Sequence, residues 1–185
     1  MATLRRRASY LVVAAVAGAI ASSVCAPAAA LAEPTEWEVK AAFLPRFARY
    51  VTWPPAAMPK GDAPFVLCVL GTDPFGAVLD QAAHSQTVDG RRIVVRRIDS
   101  AAAADGCQIA FVGSSRSQAA GQLLAALGRR PVLVVTDAGN GRSRGIIHFS
   151  ILDGRVRFFI DQSEAAQRGL TISSRLLALA VGVRH

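Results

Sequence analysis

Apolar residues recur along the chain with two spacings, one typical of helices and one typical of buried strands. Between residues 36 and 51 they recur every three or four positions, which predicts an amphipathic helix that Pro45 should kink or divide. Wholly apolar runs such as 65–70 predict buried strands. The other predicted strands are 92–98, 108–112, 131–136, 145–151 and 156–160. Helices are predicted at 73–83 with Asp73 as N-cap, in the alanine-rich segment before Asp105, at 117–127, after Asp161 and at 173–180.

Strands and helices alternate along most of the chain. This order is typical of βαβ units, in which parallel strands share one sheet with helices on both faces. Asp153-Gly154 separates the last two predicted strands and is a strong β-hairpin signal. The sequence therefore predicts a single α/β domain over residues 33–185, with a mostly parallel (mixed) sheet, helices on both faces and a C-terminal β-hairpin.

The first 32 residues have the three parts of a secretory signal peptide. Arg5, Arg6 and Arg7 precede an apolar run at 10–21, and small residues lead to an A-x-A cleavage site that ends at Ala32. An uncleaved membrane anchor is the alternative, but the run is short and rich in alanine. We expect a signal peptide over 1–32 and an exported chain that starts at Glu33.

The chain is basic, and its charge comes mostly from scattered arginines. The formal charge of +8 would fall to +5 when the signal peptide leaves. A nucleic-acid-binding surface would need these arginines on one face, interleaved with aromatic side chains. We therefore expect no nucleic-acid partner and a solvated basic surface, which would favour anionic headgroups or an acidic partner domain.

Two of the three cysteines remain after export. Cys25 lies in the predicted signal peptide and lacks a convincing lipobox around it. Cys68 and Cys107 form an even number in an oxidising compartment, which favours a disulfide. Two reduced thiols, each in an apolar run, are the alternative.

The sequence contains no recognisable catalytic or metal-binding pattern. His84, His148 and His185 lie far apart and outside metal-ligand spacings, so we expect structural roles for them. The turn at 113–116 lacks the G-x-S-x-G frame of a nucleophile elbow. We therefore predict no enzyme, no metal and no cofactor; an exported hydrolase lacks a nucleophile–base pair.

Two strand-to-helix turns are candidates for ligand binding. Such turns can aim free backbone N–H groups at a ligand, and ligands collect where neighbouring turns diverge at a switch point of the sheet. Asp73 disfavours an anion, so a neutral or zwitterionic ligand would fit better. The candidate residues are Gly71, Thr72, Gly113, Ser114, Ser115 and Arg116.

Several motifs, in order and at plausible spacing, resemble those of the YfiR family over nearly the whole exported chain. They are VKAAFL at 39–44, FARYV-x-WP at 47–54, LCVLG at 67–71 with DPFG at 73–76, GCQI at 106–109 with GSS at 113–115, GRVRF at 154–158 and AA-x-x-GL-x-ISS-x-LL at 165–177.

The resemblance implies a periplasmic α/β protein of a Gram-negative bacterium. It implies repression of a membrane-bound diguanylate cyclase through the periplasmic sensory domain of that enzyme, which would control cyclic-di-GMP and biofilm formation. An outer-membrane lipoprotein is a further implied partner, and a homodimer is also considered. Cys68 and Cys107 match the structural disulfide of the family.

The chain departs from the family pattern at positions that could contact a partner. A second cysteine pair of some relatives is absent, Pro45-Arg46 replaces the usual Tyr-Asn, and Phe159 stands where an acidic residue is common. The alternative function is a periplasmic small-molecule-binding protein that reports to a sensor or a transporter.

Overall fold

The computed structural model describes residues 33–113 and 118–185, in which strands and helices alternate. The predicted signal peptide, 1–32, lies outside these residues. The helices are α1 (Glu36–Phe47), α2 (Ala77–His84), α3 (Ala120–Leu127), α4 (Gln162–Gln167) and α5 (Ser174–Leu177). The strands are β1 (Val51–Thr52), β2 (Phe65–Leu70), β3 (Thr87–Val88), β4 (Arg91–Ile98), β5 (Ile109–Val112), β6 (Leu133–Asp137), β7 (Ile147–Leu152), β8 (Arg155–Asp161), β9 (Thr171–Ile172) and β10 (Gly182–Arg184).

Eight of these strands form one curled, mostly parallel sheet in the order β10-β8-β7-β6-β5-β2-β4-β3. Strands β4, β2, β5, β6 and β7 are parallel, and β8 runs antiparallel to β7 across the predicted hairpin. The direction of the crossovers reverses between β2 and β5, which is the switch point of the sheet. The predicted fold class is confirmed. Strands β1 and β9 form a separate antiparallel pair.

Each face of the sheet has its own apolar cluster. The first cluster joins α1, α2, α4 and α5 to the sheet from β3 to β8, with Phe149 of β7 and Phe158 of β8 among its members. The second cluster packs α3 and the 3₁₀ turn Ala101–Ala104 against β2, β5 and β6. It includes no residue of β7 or β8, so the hairpin is covered by an apolar cluster on one face only.

The N-terminal segment follows its sequence signals closely. Thr35 and Glu38 form a capping box at the start of α1. Pro45 lies in the last turn of α1, and the chain then tightens into a 3₁₀ turn at Ala48–Tyr50. Trp53, predicted to be structural, is buried and donates its indole N–H to the Gln108 carbonyl at 3.0 Å.

Several predicted boundaries are wrong, each for a local reason. Asp73 does not cap α2: its carboxylate accepts from the Phe75 amide at 2.8 Å, closing a turn before Gly76 at φ 53°, and the helix starts at Ala77. The helix predicted at 117–127 starts at Ala120, and the alanine-rich segment is a 3₁₀ turn. The last helix ends at Leu177 rather than near residue 180, and the chain then forms β10, which the sequence analysis missed.

Candidate interaction site

The two turns singled out from the sequence meet at the switch point. Gly71 directly follows β2 and Gly113 directly follows β5, and their backbones pack closely together. A methyl group on Gly71 would lie 2.7 Å from the Gly113 carbonyl oxygen, and one on Gly113 would lie 2.8 Å from the Thr72 carbonyl oxygen. Ser114, Ser115 and Arg116 lie outside the described residues. Ligand binding by these turns remains a prediction.

The predicted disulfide is present. Cys68 of β2 and Cys107, just before β5, are bonded with a Cα–Cα distance of 5.8 Å. Both lie in the second apolar cluster. The Arg96 guanidinium lies 3.2 Å from the Cys107 sulfur and also donates to the carbonyls of Ala103 and Asp105. The disulfide therefore links β2 covalently to the segment that leads into β5, the neighbouring strand of the sheet.

A buried ion pair fixes α1 to the carboxyl end of β6. Lys40 is 1% exposed, and its Nζ lies 2.6 Å from Oδ2 of Asp137 and also contacts the Glu36 carboxylate. The same ammonium lies 4.2 Å from the centre of the Trp37 ring. The Lys40 ammonium is thus paired with two carboxylates, one from Glu36 and one from Asp137. Because a buried charge needs such partners, we assign this cluster a structural role.

The hairpin of β7 and β8 packs one face against the first apolar cluster, and no apolar cluster of the described residues covers its other face. Side chains alternate between the faces of a strand, and Phe149 pairs with Phe158 on the face that packs against α1. The opposite face we call the open hairpin face. It carries His148, Ser150 and Leu152 of β7, Arg155, Arg157 and Phe159 of β8, and Gly182 and Arg184 of β10, which pair beside Phe159 and Asp161.

Large apolar side chains are exposed in this part of the molecule. Among residues 33–113 and 118–185, the exposed large apolar side chains all lie between residues 151 and 181. Phe159 is 39% exposed and Leu152 is 40% exposed. Phe159 lies across Gly182, where an added methyl group would be 3.0 Å from the ring, so the glycine makes room for it. The remaining members of the set are Ile151, Leu179 and Val181.

A cavity of about 670 Å³ opens on the open hairpin face. Its lining includes His148 and Phe159 from the hairpin, Leu124 from α3 and Arg144 from the loop before β7. Among the described residues, its lining includes neither Gly71 nor Gly113 of the two turns. The cavity thus combines apolar walls with three guanidinium groups, of Arg144, Arg168 and Arg184, and two carboxylates, of Asp161 and Glu164.

His148 forms the polar floor of this cavity and is neutral at physiological pH. Burial, together with the charge of Arg144, lowers the pKa of His148 to about 4. Arg144 donates to Nε2, so the ring proton lies on Nδ1, which is 2.9 Å from Oγ1 of Thr136. That hydroxyl also accepts from the Gly145 amide at 2.8 Å. Both ring nitrogens of His148 therefore take part in hydrogen bonds, and its structural role stays a prediction.

The open hairpin face carries an excess of positive charge. Arg184 pairs with Asp161 and Arg168 pairs with Glu164, so these four charges cancel. Within the part of the chain that the structure describes, no carboxylate pairs with the other three arginines of this region, which are Arg144, Arg155 and Arg157.

The open hairpin face has a composition typical of surfaces that contact another protein. Among residues 33–113 and 118–185, no group of three histidine, cysteine, aspartate or glutamate side chains could hold a metal ion. An exposed aromatic ring beside unpaired arginines is instead a composition favoured at protein interfaces. In the same described residues, no helix is long and apolar enough to cross a membrane.

The sequence as a whole matches one protein family, described as YfiR/HmsC-like, over residues 37–181. The chain belongs to the YfiR/HmsC-like family. The match extends from α1 to the residue before β10 and includes both the disulfide and the hairpin. The resemblance read from the sequence motifs is thereby confirmed. No curated protein matches the chain significantly.

One candidate contact residue of this YfiR/HmsC-like chain, Phe159, could not be assigned a site from the sequence. Phe159 was noted only as a departure from the family pattern. The alternation of Arg155, Arg157 and Phe159 at every second position of a strand already placed them on one face. What the sequence did not show is that the second apolar cluster includes no residue of β7 or β8, because this depends on tertiary packing.

Proposed function

We propose that this YfiR/HmsC-like protein is a periplasmic repressor of a membrane-bound diguanylate cyclase. It would bind the periplasmic sensory domain of the enzyme and so control cyclic-di-GMP and biofilm formation. The observation that carries the proposal is the family match over residues 37–181. The signal-peptide pattern at 1–32 supports export to the compartment where such a domain would lie.

The mechanism is a shift between two arrangements of the cyclase. The repressor restrains the enzyme only as far as it binds the inactive arrangement more tightly than the active one. A tenfold difference in affinity corresponds to about 1.4 kcal/mol. The exposed apolar side chains and unpaired arginines of the open hairpin face support contact with a protein partner. An outer-membrane lipoprotein that competes for the repressor, and a second copy of the chain, are further candidate partners.

The proposal is tested directly with the exported chain, purified from the periplasm, and the membrane-bound cyclase in vesicles. We expect saturable inhibition of cyclic-di-GMP synthesis when the repressor reaches the periplasmic side. A cyclase that lacks its periplasmic domain is the control and should be insensitive. Equal inhibition of both enzymes, or of neither, would contradict the proposal.

A second candidate function is binding of a small molecule that the protein reports to a sensor or a transporter. The cavity of about 670 Å³ favours it, because its volume is typical of small-molecule sites. Ligand-dependent stabilisation of the exported chain without any effect on a cyclase would favour this function over repression.

A further inference from the structure

The open hairpin face has the properties of a docking site for an acidic segment. Its accessible apolar side chains are Phe159 and Leu152, which lie toward opposite ends of the hairpin and are each about two-fifths exposed. Arg155 lies opposite Leu152, Arg157 lies between the two apolar side chains, and Arg144 lines the cavity beside Phe159. None of these three arginines has an acidic partner within the described residues. A surface of this kind attracts a partner by charge and holds it by burying apolar area.

The spacing of these groups indicates the size of the partner. Residues of a strand rise about 3.3 Å each, so Arg155 and Phe159 lie about 13 Å apart along β8. A small ligand in the cavity beside Phe159 and Arg144 could not also reach Arg155. An extended segment of four or five residues covers that distance, and several acidic side chains along it could meet the separate arginines.

The cavity defines what such a segment must insert. Its volume of about 670 Å³ is large enough for an aromatic or branched aliphatic side chain. Leu124 and Phe159 provide apolar walls, and the neutral His148 adds no charge. The other charged lining residues pair with each other, Arg168 with Glu164 and Arg184 with Asp161. Arg144 at the cavity lining can pair with a carboxylate next to the inserted side chain.

We propose that the open hairpin face docks an acidic segment of the partner protein, with one apolar side chain of that segment inserted into the cavity beside Phe159. This inference rests on the proposed function, because it takes the periplasmic domain of the cyclase as the protein that supplies the segment. The ion pairs Arg184–Asp161 and Arg168–Glu164 border the cavity without contributing net charge.

The test uses the exported chain and the periplasmic domain of the cyclase. The variant Arg155→Glu with Arg157→Glu reverses two charges that have no partner in the described chain, so its melting temperature should stay unchanged. The matched control is Arg92→Glu with Arg129→Glu, the same change of charge at exposed residues of β4 and of the segment after α3. A third variant, Phe159→Ser, removes the aromatic ring that lines the cavity.

We expect the hairpin charge variant and Phe159→Ser each to lower affinity by about tenfold or more, and the control by no more than about threefold. The loss in the charge variant should shrink as salt rises, because screening weakens the attraction in the wild type. Lysine substitutions of acidic residues in the docking segment should restore binding of the charge variant.

Three outcomes overturn the inference. If the wild type binds and the hairpin variant loses no more affinity than the control, docking occurs elsewhere and the proposed function stands. If an apolar peptide binds as tightly as an acidic one, the charge argument is wrong. If the wild type does not bind the domain at all, both the inference and the proposed function fail.

Discussion

Lys40 and Asp137 form a buried ion pair across the first apolar layer, with 2.6 Å between Nζ and Oδ2. The lysine belongs to α1, and the aspartate ends β6, where its Oδ1 accepts from the Gly139 amide at 3.0 Å. The two residues are 97 positions apart in the chain. Their contact therefore fixes the N-terminal helix over the parallel part of the sheet.

Breaking this pair on one side should destabilise the fold strongly. Lys40→Met would leave the Asp137 carboxylate buried without its cation, and we expect a loss of about 3–5 kcal/mol in the free energy of unfolding. Denaturant unfolding measures it, with the exposed Lys60→Met as control. The double variant Lys40→Met with Asp137→Asn should be more stable than Lys40→Met alone; an equal or lower stability would contradict the account.

The disulfide should contribute substantially to stability. It closes a sequence separation of 39 residues, and Cys68→Ser should lower the free energy of unfolding by about 2–5 kcal/mol. Reduction of the wild type should give a similar loss, whereas the double variant Cys68→Ser with Cys107→Ser should not respond to reductant. Two free thiols in peptides from the non-reduced periplasmic protein would show that the bond does not form in the cell.

The buried His148 should make stability depend on pH. Its pKa in the folded protein is about 4, below the usual 6.5, so the unfolded chain binds the proton more readily between these values. Stability should therefore be full above about pH 6.5 and fall by about 3 kcal/mol as the pH approaches 4. Unfolding measured across this range should show a shallower fall for His148→Gln, and an equally steep fall in this variant would contradict the assignment.

Phe47 should be a core residue rather than a contact residue. It is 1% exposed, and its ring centre lies 5.4 Å from that of Phe158 and 5.8 Å from that of Phe149. Phe47→Ala should cost about 3–5 kcal/mol because it leaves a cavity among these rings. The exposed Phe159→Ala is the control and should cost far less. An unchanged melting temperature for Phe47→Ala combined with lost repression would instead make Phe47 part of an interface.

Much of the fold could be predicted from the sequence because the signals were local. The run Phe65–Leu70 and the Asp153-Gly154 turn each specify one element, and both elements are present as predicted. β10 could not be predicted, because a segment of three residues that includes Gly182 is too short to show an alternation of apolar and polar positions. These residues form a strand only by pairing with β8.

The site was less predictable for a related reason. The two glycine turns were recognised by local chemistry, but their close packing depends on the neighbouring positions of β2 and β5. Lys40 reads in sequence as an exposed helical lysine, and only its tertiary contact with Asp137 explains its burial. Contacts between residues far apart in the chain determine these features, and no short-range pattern encodes them.

The central claim, repression of a membrane cyclase from the periplasm, is tested most directly by cellular cyclic-di-GMP. Deletion of the gene should raise cyclic-di-GMP and surface attachment. A full-length copy should reverse both changes, whereas a copy without residues 1–32 should not. Removal of one membrane cyclase should abolish the effect of the deletion. If cyclic-di-GMP stays level in the deletion strain under both oxidising and reducing growth conditions, the protein is not a cyclase repressor.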